Sequence, residues 1–124
     1  MVVDKLCIFC KIARGEIKSQ SFVAENDTFF AIHDIQPMAE GHTLVIPKKH
    51  CVTLLDIPSN MGKDMLDLLK KVSGELMDEK LGDGFNLVMN NLVVAGQAVM
   101  HAHIHVVPRK EKDGLHSMTQ IKGR

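Results

Sequence analysis

Tryptophan and tyrosine are absent from this sequence, and neither sign of charge is in excess. Fifteen basic and fifteen acidic side chains give a formal net charge of zero, which argues against non-specific binding to nucleic acids or anionic membranes. No apolar run approaches the roughly 18 residues of a membrane-spanning helix, and the N-terminus shows no signal peptide. These absences predict a cytoplasmic protein that binds neither nucleic acid nor membranes.

The sequence has only three cysteines, an odd number: Cys7, Cys10 and Cys51. Without an export signal, they indicate thiols or metal ligands rather than a disulfide framework. The length of 124 residues predicts one domain with a core of its own and no room for a second. We therefore expect a single domain over residues 1–110 and a polar tail over 111–124. The tail is either a frayed terminus or part of a partner subunit's active site.

Two kinds of hydrophobic spacing predict the secondary structure. Apolar residues three or four positions apart predict a short helix over 8–14, stopped by Gly15, and one long helix over 58–80 with Ser59 as N-cap. Alternating, β-branched or aromatic runs predict strands over 21–24, 28–32, 42–46 (ended by Pro47), 85–89 and 100–108. Together they predict an α+β fold with an antiparallel sheet of about five strands.

The most informative stretch lies near the C-terminal end, where histidine occupies every second position: His101, His103 and His105. Successive side chains of a strand point to opposite faces, so the three imidazoles share one face. A helix would place them about 100° apart for each residue of separation. The opposite face of the predicted strand then carries only apolar side chains, which are Met100, Ala102, Ile104 and Val106.

Three imidazoles in a row admit three explanations. They are solvated histidines on an edge strand, ligands of a metal ion, or a set in which one imidazole attacks phosphorus while its neighbours orient it and handle protons. Gly96 and Gln97, in a small turn just upstream, favour the third explanation. The backbone N–H groups of such a turn approach phosphate oxygens closely.

Four ordered segments carry a family resemblance. Residues 95–109 match a signature of Ala-Gly-Gln followed by alternating histidines, and its other recurrent segments are matched at 7–12, 33–35 and 41–50. On these matches the chain resembles the histidine triad, or HIT, family over nearly its whole length, and in particular its zinc-carrying, Hint-like branch. The resemblance implies a HIT-like fold and a symmetric homodimer joined through the long helix and a sheet edge.

For the catalytic groups, the resemblance implies that His103 attacks the α-phosphorus of a nucleotide and that water then hydrolyses the nucleotidyl-histidine. His105 and His42 would supply phosphate contacts and proton handling, and His101 would help to fix the geometry. The chemistry is consistent, because a central imidazole held through one ring nitrogen leaves the other to attack. No catalytic metal is required by this mechanism.

The resemblance also implies a site for a purine nucleotide of the AMP or GMP type. Ile8, Phe9 and Ile12 would form the apolar slot for the base, although plain core packing is the alternative for this trio. Asp34 would accept hydrogen bonds from the ribose hydroxyls, with Ile35 beside it. The remaining substrate contacts would come from the segment before the triad, through Asn90, Gly96, Gln97, Ala98 and Val99.

Two positions depart from the family's pattern. The glycine that commonly follows soon after Asn90 is missing, because Leu92 and its neighbours offer none before Gly96. Ala98 stands where a hydroxyl residue is frequent. A lost hydroxyl removes a hydrogen bond worth about 0.5–1.5 kcal/mol, which affects rate or substrate preference more than reaction class.

Cys7 and Cys10 form a Cys-x-x-Cys pair, which is compatible with redox chemistry or with zinc. The resemblance implies a structural zinc ion, with Cys51 a bystander and with the ligand set Cys7, Cys10, His50 and His101. A closed site of two thiolates and two imidazoles would tie the first helix to the sheet and stiffen the strand that bears His103.

The leading hypothesis is a nucleotide hydrolase or transferase acting on nucleoside-phosphate-X substrates, either phosphoramidates or dinucleoside polyphosphates, through a nucleotidyl-histidine. The alternative is a non-catalytic nucleotide-binding or interaction module of the same fold, to which the departures at Leu92 and Ala98 give weight. A third interpretation is a metalloenzyme, which predicts one metal ion held by all three triad imidazoles.

Overall fold

The computed structural model describes residues 6–18 and 21–115. The helices over these residues are α1 (Ile8–Ala13) and α2 (Gly62–Asp78). The strands are β1 (Phe22–Glu25), β2 (Phe29–His33), β3 (Thr43–Pro47), β4 (Gly84–Val88) and β5 (Ile104–Arg109). Single 3-10 turns lie at Leu54–Asp56, Ser59–Met61 and Val93–Ala95. Within these two described ranges, neither helix has the length and apolar character needed to cross a membrane.

The strands form one antiparallel sheet in the order β1-β2-β3-β5-β4. The turn between β1 and β2 is held by Asn26, whose Oδ1 accepts a hydrogen bond from the backbone N–H of Phe29 at 2.9 Å. β3 lies between β2 and β5, and its register places Leu44 opposite His105. The predicted α+β fold, with one antiparallel sheet and one long helix, is confirmed.

Residues of the central strands alternate between two cores, one on each face of the sheet. Phe29 and Ala31 of β2 pack in the core that contains α2, whereas Phe30 and Ile32 pack with Phe9 of α1. Fully burying one such side chain contributes about 1.5–3 kcal/mol for aliphatic and aromatic residues. Residues directly opposite in an antiparallel pair share a face. His105 therefore lies on the α1 face, together with its partner Leu44.

The long helix has the predicted apolar face but begins later than predicted. Leu68, Val72 and Leu76 of α2 are buried against the sheet. The prediction of Ser59 as the N-cap is wrong, because Ser59 begins a 3-10 turn in which the N–H of Met61 bonds to the carbonyl of Pro58 at 3.0 Å. The α-helix starts after this turn.

The predicted boundaries of all five strands differ from the observed ones, and the differences at β5 and β3 have a physical reason. β5 begins at Ile104 and so includes neither Met100 nor the first two triad histidines, His101 and His103, because the N–H of Ala102 bonds to the carbonyl of Cys51 at 2.6 Å, outside the sheet. Met100 is 37% exposed and is not part of the packing face. β3 includes Pro47, whose missing N–H falls at the end of the ladder opposite Phe29. The part of the predicted tail after residue 115 lies outside the described residues.

Candidate active site

His103 lies just before β5 and is 2% exposed. Its Nδ1 is 2.7 Å from the carbonyl oxygen of His101. A carbonyl oxygen only accepts hydrogen bonds, so Nδ1 carries the proton and the lone pair of the neutral ring is on Nε2. The backbone thereby sets the tautomer that a nucleophilic imidazole needs.

His42 and His105 form a buried pair with the opposite arrangement of protons. The backbone N–H of Met38 donates to Nδ1 of His42 at 3.1 Å, which leaves the proton of this ring on Nε2. That Nε2 lies 3.0 Å from Nδ1 of His105 and donates to it. His105 therefore keeps its own proton on Nε2. The rings of His103 and His105 meet edge to face, with centroids 5.2 Å apart.

Asp34 adds a carboxylate to this pair. Its Oδ2 lies 3.5 Å from Nε2 of His42, and its Oδ1 accepts the N–H of Gln36 at 2.9 Å. The ligand atoms of Asp34, His42 and His105 lie within 4.8 Å of one another, and two imidazoles with a carboxylate are a donor set that suits divalent metals.

The N–H of Met38 argues against a metal at this cluster. It binds the Nδ1 lone pair of His42, so that Nε2 presents a proton instead of a lone pair. His101, the first histidine of the triad, belongs to a different cluster. The geometry thus favours a hydrogen-bonded chain of imidazoles and does not support one metal ion held by the three triad histidines.

A cleft of about 500 Å³ lies between α1 and the segment that joins β2 to β3. This volume is in the range of about 300–1,000 Å³ that small-ligand sites occupy. The ring of Phe9 connects the cleft to the triad, because its centroid is 5.4 Å from that of His103. The predicted substrate-binding residues that line the cleft are Ile8, Phe9, Ile12, Asp34, Ile35 and Val99.

Four further lining residues were not predicted, namely Ile32, His33, Gln36 and Leu44. The strand pattern contained a signal for Ile32 and Leu44, since both alternate onto the α1 face. His33 lies in the matched segment 33–35 but had no predicted role, and Gln36, which follows that segment, had no signal of its own. The largely apolar lining is the kind of surface that receives a planar base.

The loop before the triad is held from within by Gln97, which is 2% exposed. Its Oε1 accepts the N–H of Leu92 at 2.6 Å, and its Nε2 donates to the carbonyls of Val52 at 2.6 Å and Val99 at 3.0 Å. The Gln97 side chain is therefore bonded to backbone groups of the loop and its neighbours. The structure places it as an anchor of the loop.

The other predicted residues of this loop lie around a left-handed turn. Gly96 has φ 100°, and a Cβ atom there would lie 3.4 Å from Nδ2 of Asn90, so these two residues are adjacent. Ala98 is exposed. Leu92 takes φ 74° and ψ 161°, a conformation that glycine adopts readily and other residues rarely do. The missing glycine is thus replaced by a residue under backbone strain.

A second cluster brings together the four predicted metal ligands. Sγ of Cys7 lies 3.2 Å from Nδ1 of His101, and Sγ of Cys10 lies 3.2 Å from Nδ1 of His50 and 3.5 Å from Nδ1 of His101. All four ligand atoms lie within 4.8 Å of one another. Two sulfur and two imidazole nitrogen atoms are a donor set for a closed, tetrahedral zinc site.

The orientation of His101 fits this donor role. Its Nε2–H donates to the carbonyl of Pro47 at 2.7 Å, which leaves the Nδ1 lone pair facing the thiols. Burial lowers the pKa of His101 to about 4, so the ring is neutral near pH 7. Cys51 lies outside the cluster, and burial raises the pKa of its thiol.

The fold and the site together define an α+β protein with two buried histidine clusters, one of which adjoins an apolar cleft through Asp34. The HIT domain family model matches residues 14–112. The chain therefore belongs to the HIT family, as its sequence pattern predicted.

Three similar proteins place the chain within this family. It is 42% identical over 110 residues to adenosine 5′-monophosphoramidase HNT1 of Candida albicans, covering 86% of this chain and 72% of that protein. It is 38% identical over 116 residues to adenylylsulfatase HINT3 of Arabidopsis thaliana, covering 94% of this chain but only 58% of the plant protein. A zinc-bound histidine triad family protein from Mycobacterium smegmatis superimposes with a TM-score of 0.82 at 38% identity, covering 90% of this chain and 80% of the other.

Proposed function

We propose that this protein is a nucleotide hydrolase or transferase that cleaves nucleoside-phosphate-X substrates through a nucleotidyl-histidine intermediate on His103. The observation that carries the proposal is the hydrogen bond from Nδ1 of His103 to the carbonyl of His101, which puts the lone pair on Nε2 of a ring that contacts Phe9 of the cleft. The activities for which the Candida and Arabidopsis relatives are named belong to this substrate class, and they support it.

The proposed reaction has two displacement steps at the α-phosphorus. Nε2 of His103 forms a bond to phosphorus, and the bond between phosphorus and X breaks with its electron pair going to X. Water then forms a bond to the same phosphorus, and the phosphorus–nitrogen bond breaks, which returns its electron pair to His103. One water molecule is consumed overall, with one hydrogen ending on X and the hydroxyl on the nucleoside monophosphate.

The neighbouring groups stabilise the charges that form in these steps. The carbonyl of His101 accepts from Nδ1–H of His103 and so stabilises the cationic ring of the intermediate. In our proposal His105 donates Nε2–H to a phosphoryl oxygen, while His42 maintains that tautomer. The loop of Asn90, Gly96, Gln97 and Ala98 surrounds the phosphates.

The nucleoside occupies the cleft in this proposal. Ile8, Phe9 and Ile12 of α1 pack against the purine, with Ile35 and Val99 at its edges. Asp34 accepts hydrogen bonds from the ribose hydroxyls. A carboxylate that accepts one hydrogen bond from the N–H of Gln36 can accept further ones. AMP- or GMP-type nucleotides fit this combination of apolar slot and single carboxylate.

We further propose that Cys7, Cys10, His50 and His101 hold a structural zinc ion. The distances between their ligand atoms and the neutral state of His101 support this assignment. Zinc would fasten α1 to the segment after β3, through His50, and to the triad itself, through His101. The proposed His103 chemistry itself needs no metal ion.

The decisive test of the proposed function is the variant His103→Ala. Turnover of adenosine 5′-phosphoramidate is expected to fall by at least about 10⁴-fold, because the nucleophile is lost while the cleft remains. AMP binding by calorimetry should persist within a few-fold of the original protein. Unchanged turnover in His103→Ala would remove the proposed mechanism.

A second candidate function is a non-catalytic nucleotide-binding module. Leu92 in a glycine-type conformation and the apolar Ala98 are the observations that favour it, since both alter the loop proposed to surround the phosphates. Calorimetry with AMP beside a turnover assay separates the two functions. Binding without product from phosphoramidates or dinucleoside polyphosphates would favour the module.

The predicted homodimer remains a proposal, supported by one edge of the sheet. β4 is the outermost strand next to β5, and its Phe85 and Leu87 are 43% and 48% exposed. An exposed strand edge with apolar side chains is a surface that a partner covers. Light scattering should give a mass of two chains.

A further inference from the structure

Asp34 lines the cleft and also lies against the histidines. It belongs to the cleft lining beside Ile35, yet its side chain is only 1% exposed. Oδ1 is bonded to the N–H of Gln36, and Oδ2 is 3.5 Å from Nε2 of His42. One carboxylate therefore faces both the proposed nucleoside site and the buried imidazole pair.

The proton on Nε2 of His42 is central to this arrangement. The N–H of Met38 excludes a proton from Nδ1, so Nε2–H donates to Nδ1 of His105, with Oδ2 of Asp34 3.5 Å from the same Nε2. A buried negative charge beside an N–H polarises it and holds its orientation. Asp34 thus acts on the hydrogen bond that determines which nitrogen of His105 carries a proton.

We propose that Asp34 is a positioning residue that acts on the triad through His42, independently of any contact with the nucleoside sugar. The inference rests on the proposed function, in which positive charge develops on the imidazoles as the bond from His103 to phosphorus forms. A fixed carboxylate in a dry site stabilises such charge without reorganising. Asp34 therefore contributes to the chemical step as well as to binding.

The test compares two substrates that differ only in the sugar. The original protein and Asp34→Asn are assayed with adenosine 5′-phosphoramidate and with its 2′,3′-dideoxy counterpart, which has no ribose hydroxyl for Asp34 to bind. The expected result is a fall in kcat of about 10²-fold on both substrates, the low end of the range for acid–base assistance. KM should rise only for the substrate that has the hydroxyls.

Two further variants control this comparison. Asp27→Asn makes the same change at an exposed residue of the β1–β2 turn and should leave both kcat values unchanged. Asp34→Glu keeps the charge and should recover part of the lost kcat on the dideoxy substrate. An Asp34→Asn protein with unaltered kcat on the dideoxy substrate would show that Asp34 serves only the sugar, and the inference would fail.

A readout without turnover separates this inference from the proposed function. Nitrogen-15 shifts of the histidine rings report which nitrogen carries each proton, and His42 is expected to carry its proton on Nε2 and His105 also on Nε2. Asp34→Asn should shift the signals of both rings, whereas Asp27→Asn should not. A proton on Nδ1 of His42 in the original protein would overturn the inference even if turnover were normal. If the original protein turned over neither substrate, the proposed function would be overturned. The chemical role of Asp34 would then fall as well.

Discussion

The two buried histidine clusters use the same side chain in opposite ways. In the cysteine cluster, the carbonyl of Pro47 accepts a hydrogen bond from Nε2–H of His101, so that the Nδ1 lone pair faces the thiols. In the imidazole chain, the N–H of Met38 donates to Nδ1 of His42, so that the Nε2–H of this ring faces His105. The first arrangement suits a cation, and the second suits the donation of hydrogen bonds. The backbone group that each imidazole touches thus decides the chemistry that the ring can perform.

The largest expected effect comes from breaking the cysteine cluster. Cys10→Ser should abolish zinc binding and lower the free energy of unfolding by several kcal/mol, since structural zinc in small domains contributes on the order of 10 kcal/mol. Metal analysis and denaturant unfolding measure the two losses. Cys51→Ser is the matched control, because Cys51 is also buried but lies outside the cluster, and it should keep its zinc. Equal zinc content in both variants would contradict the assignment.

The next effect comes from breaking the imidazole chain while leaving the cysteine cluster intact. His42→Leu removes the donor to Nδ1 of His105 and should lower kcat by about 10²-fold with little change in zinc content. His42→Gln should recover part of that loss, because an amide N–H replaces the ring N–H. Steady-state kinetics and metal analysis of both variants check the result. Loss of zinc from His42→Leu would mean that the two clusters are not separable.

Chelation tests the separate roles of the cysteine cluster and the imidazole chain without any substitution. Removing zinc from the intact protein should lower its melting temperature markedly, because the proposed ligands join α1 to distant segments. Phosphoramidate turnover should persist at temperatures where the fold survives, since no step at phosphorus uses the ion. Immediate loss of turnover in a protein that circular dichroism shows to be folded would contradict the division of roles.

The smallest expected effect concerns the loop before the triad. Leu92→Gly should raise the free energy of unfolding by about 1 kcal/mol, the lower end of the cost of a strained backbone residue. Exposure of the Leu92 side chain means that little packing is lost. Denaturant unfolding measures the change, and unaltered zinc content would show that the loop is independent of the cysteine cluster. A fall in stability would show that the φ of Leu92 is not a source of strain.

Much of the fold was predictable because its signals are local. The aromatic and apolar run of β2, the alternating histidines that lead into β5 and the apolar spacing of α2 are each signals within one short segment. The boundaries were less predictable, because they depend on partners distant in sequence. The bond from Ala102 to Cys51, which keeps residues 100–103 out of β5, has no counterpart in the strand pattern.

For the candidate site, too, the local signals were predictable and the contacts between distant residues were not. The sequence predicted a set of site residues, and the structure brings the apolar residues of α1 together with Asp34 in one cleft. The protonation of each imidazole could not be predicted, because it is set by backbone groups such as the carbonyl of Pro47 and the N–H of Met38. Gln97 was predicted near the phosphates, whereas its bonds to the backbone reveal an anchoring role that composition does not signal.

His101 contributes to both the cysteine cluster and the active site. Its ring faces the thiols, and its carbonyl accepts the hydrogen bond from Nδ1–H of His103. The distance along the chain between these two histidines is consequently not free to change. An added or deleted residue between them would separate the carbonyl of His101 from Nδ1 of His103 or turn the His101 ring away from the thiols. An insertion or deletion between these two histidines is therefore expected to cost zinc binding or turnover, according to which of the two contacts is lost.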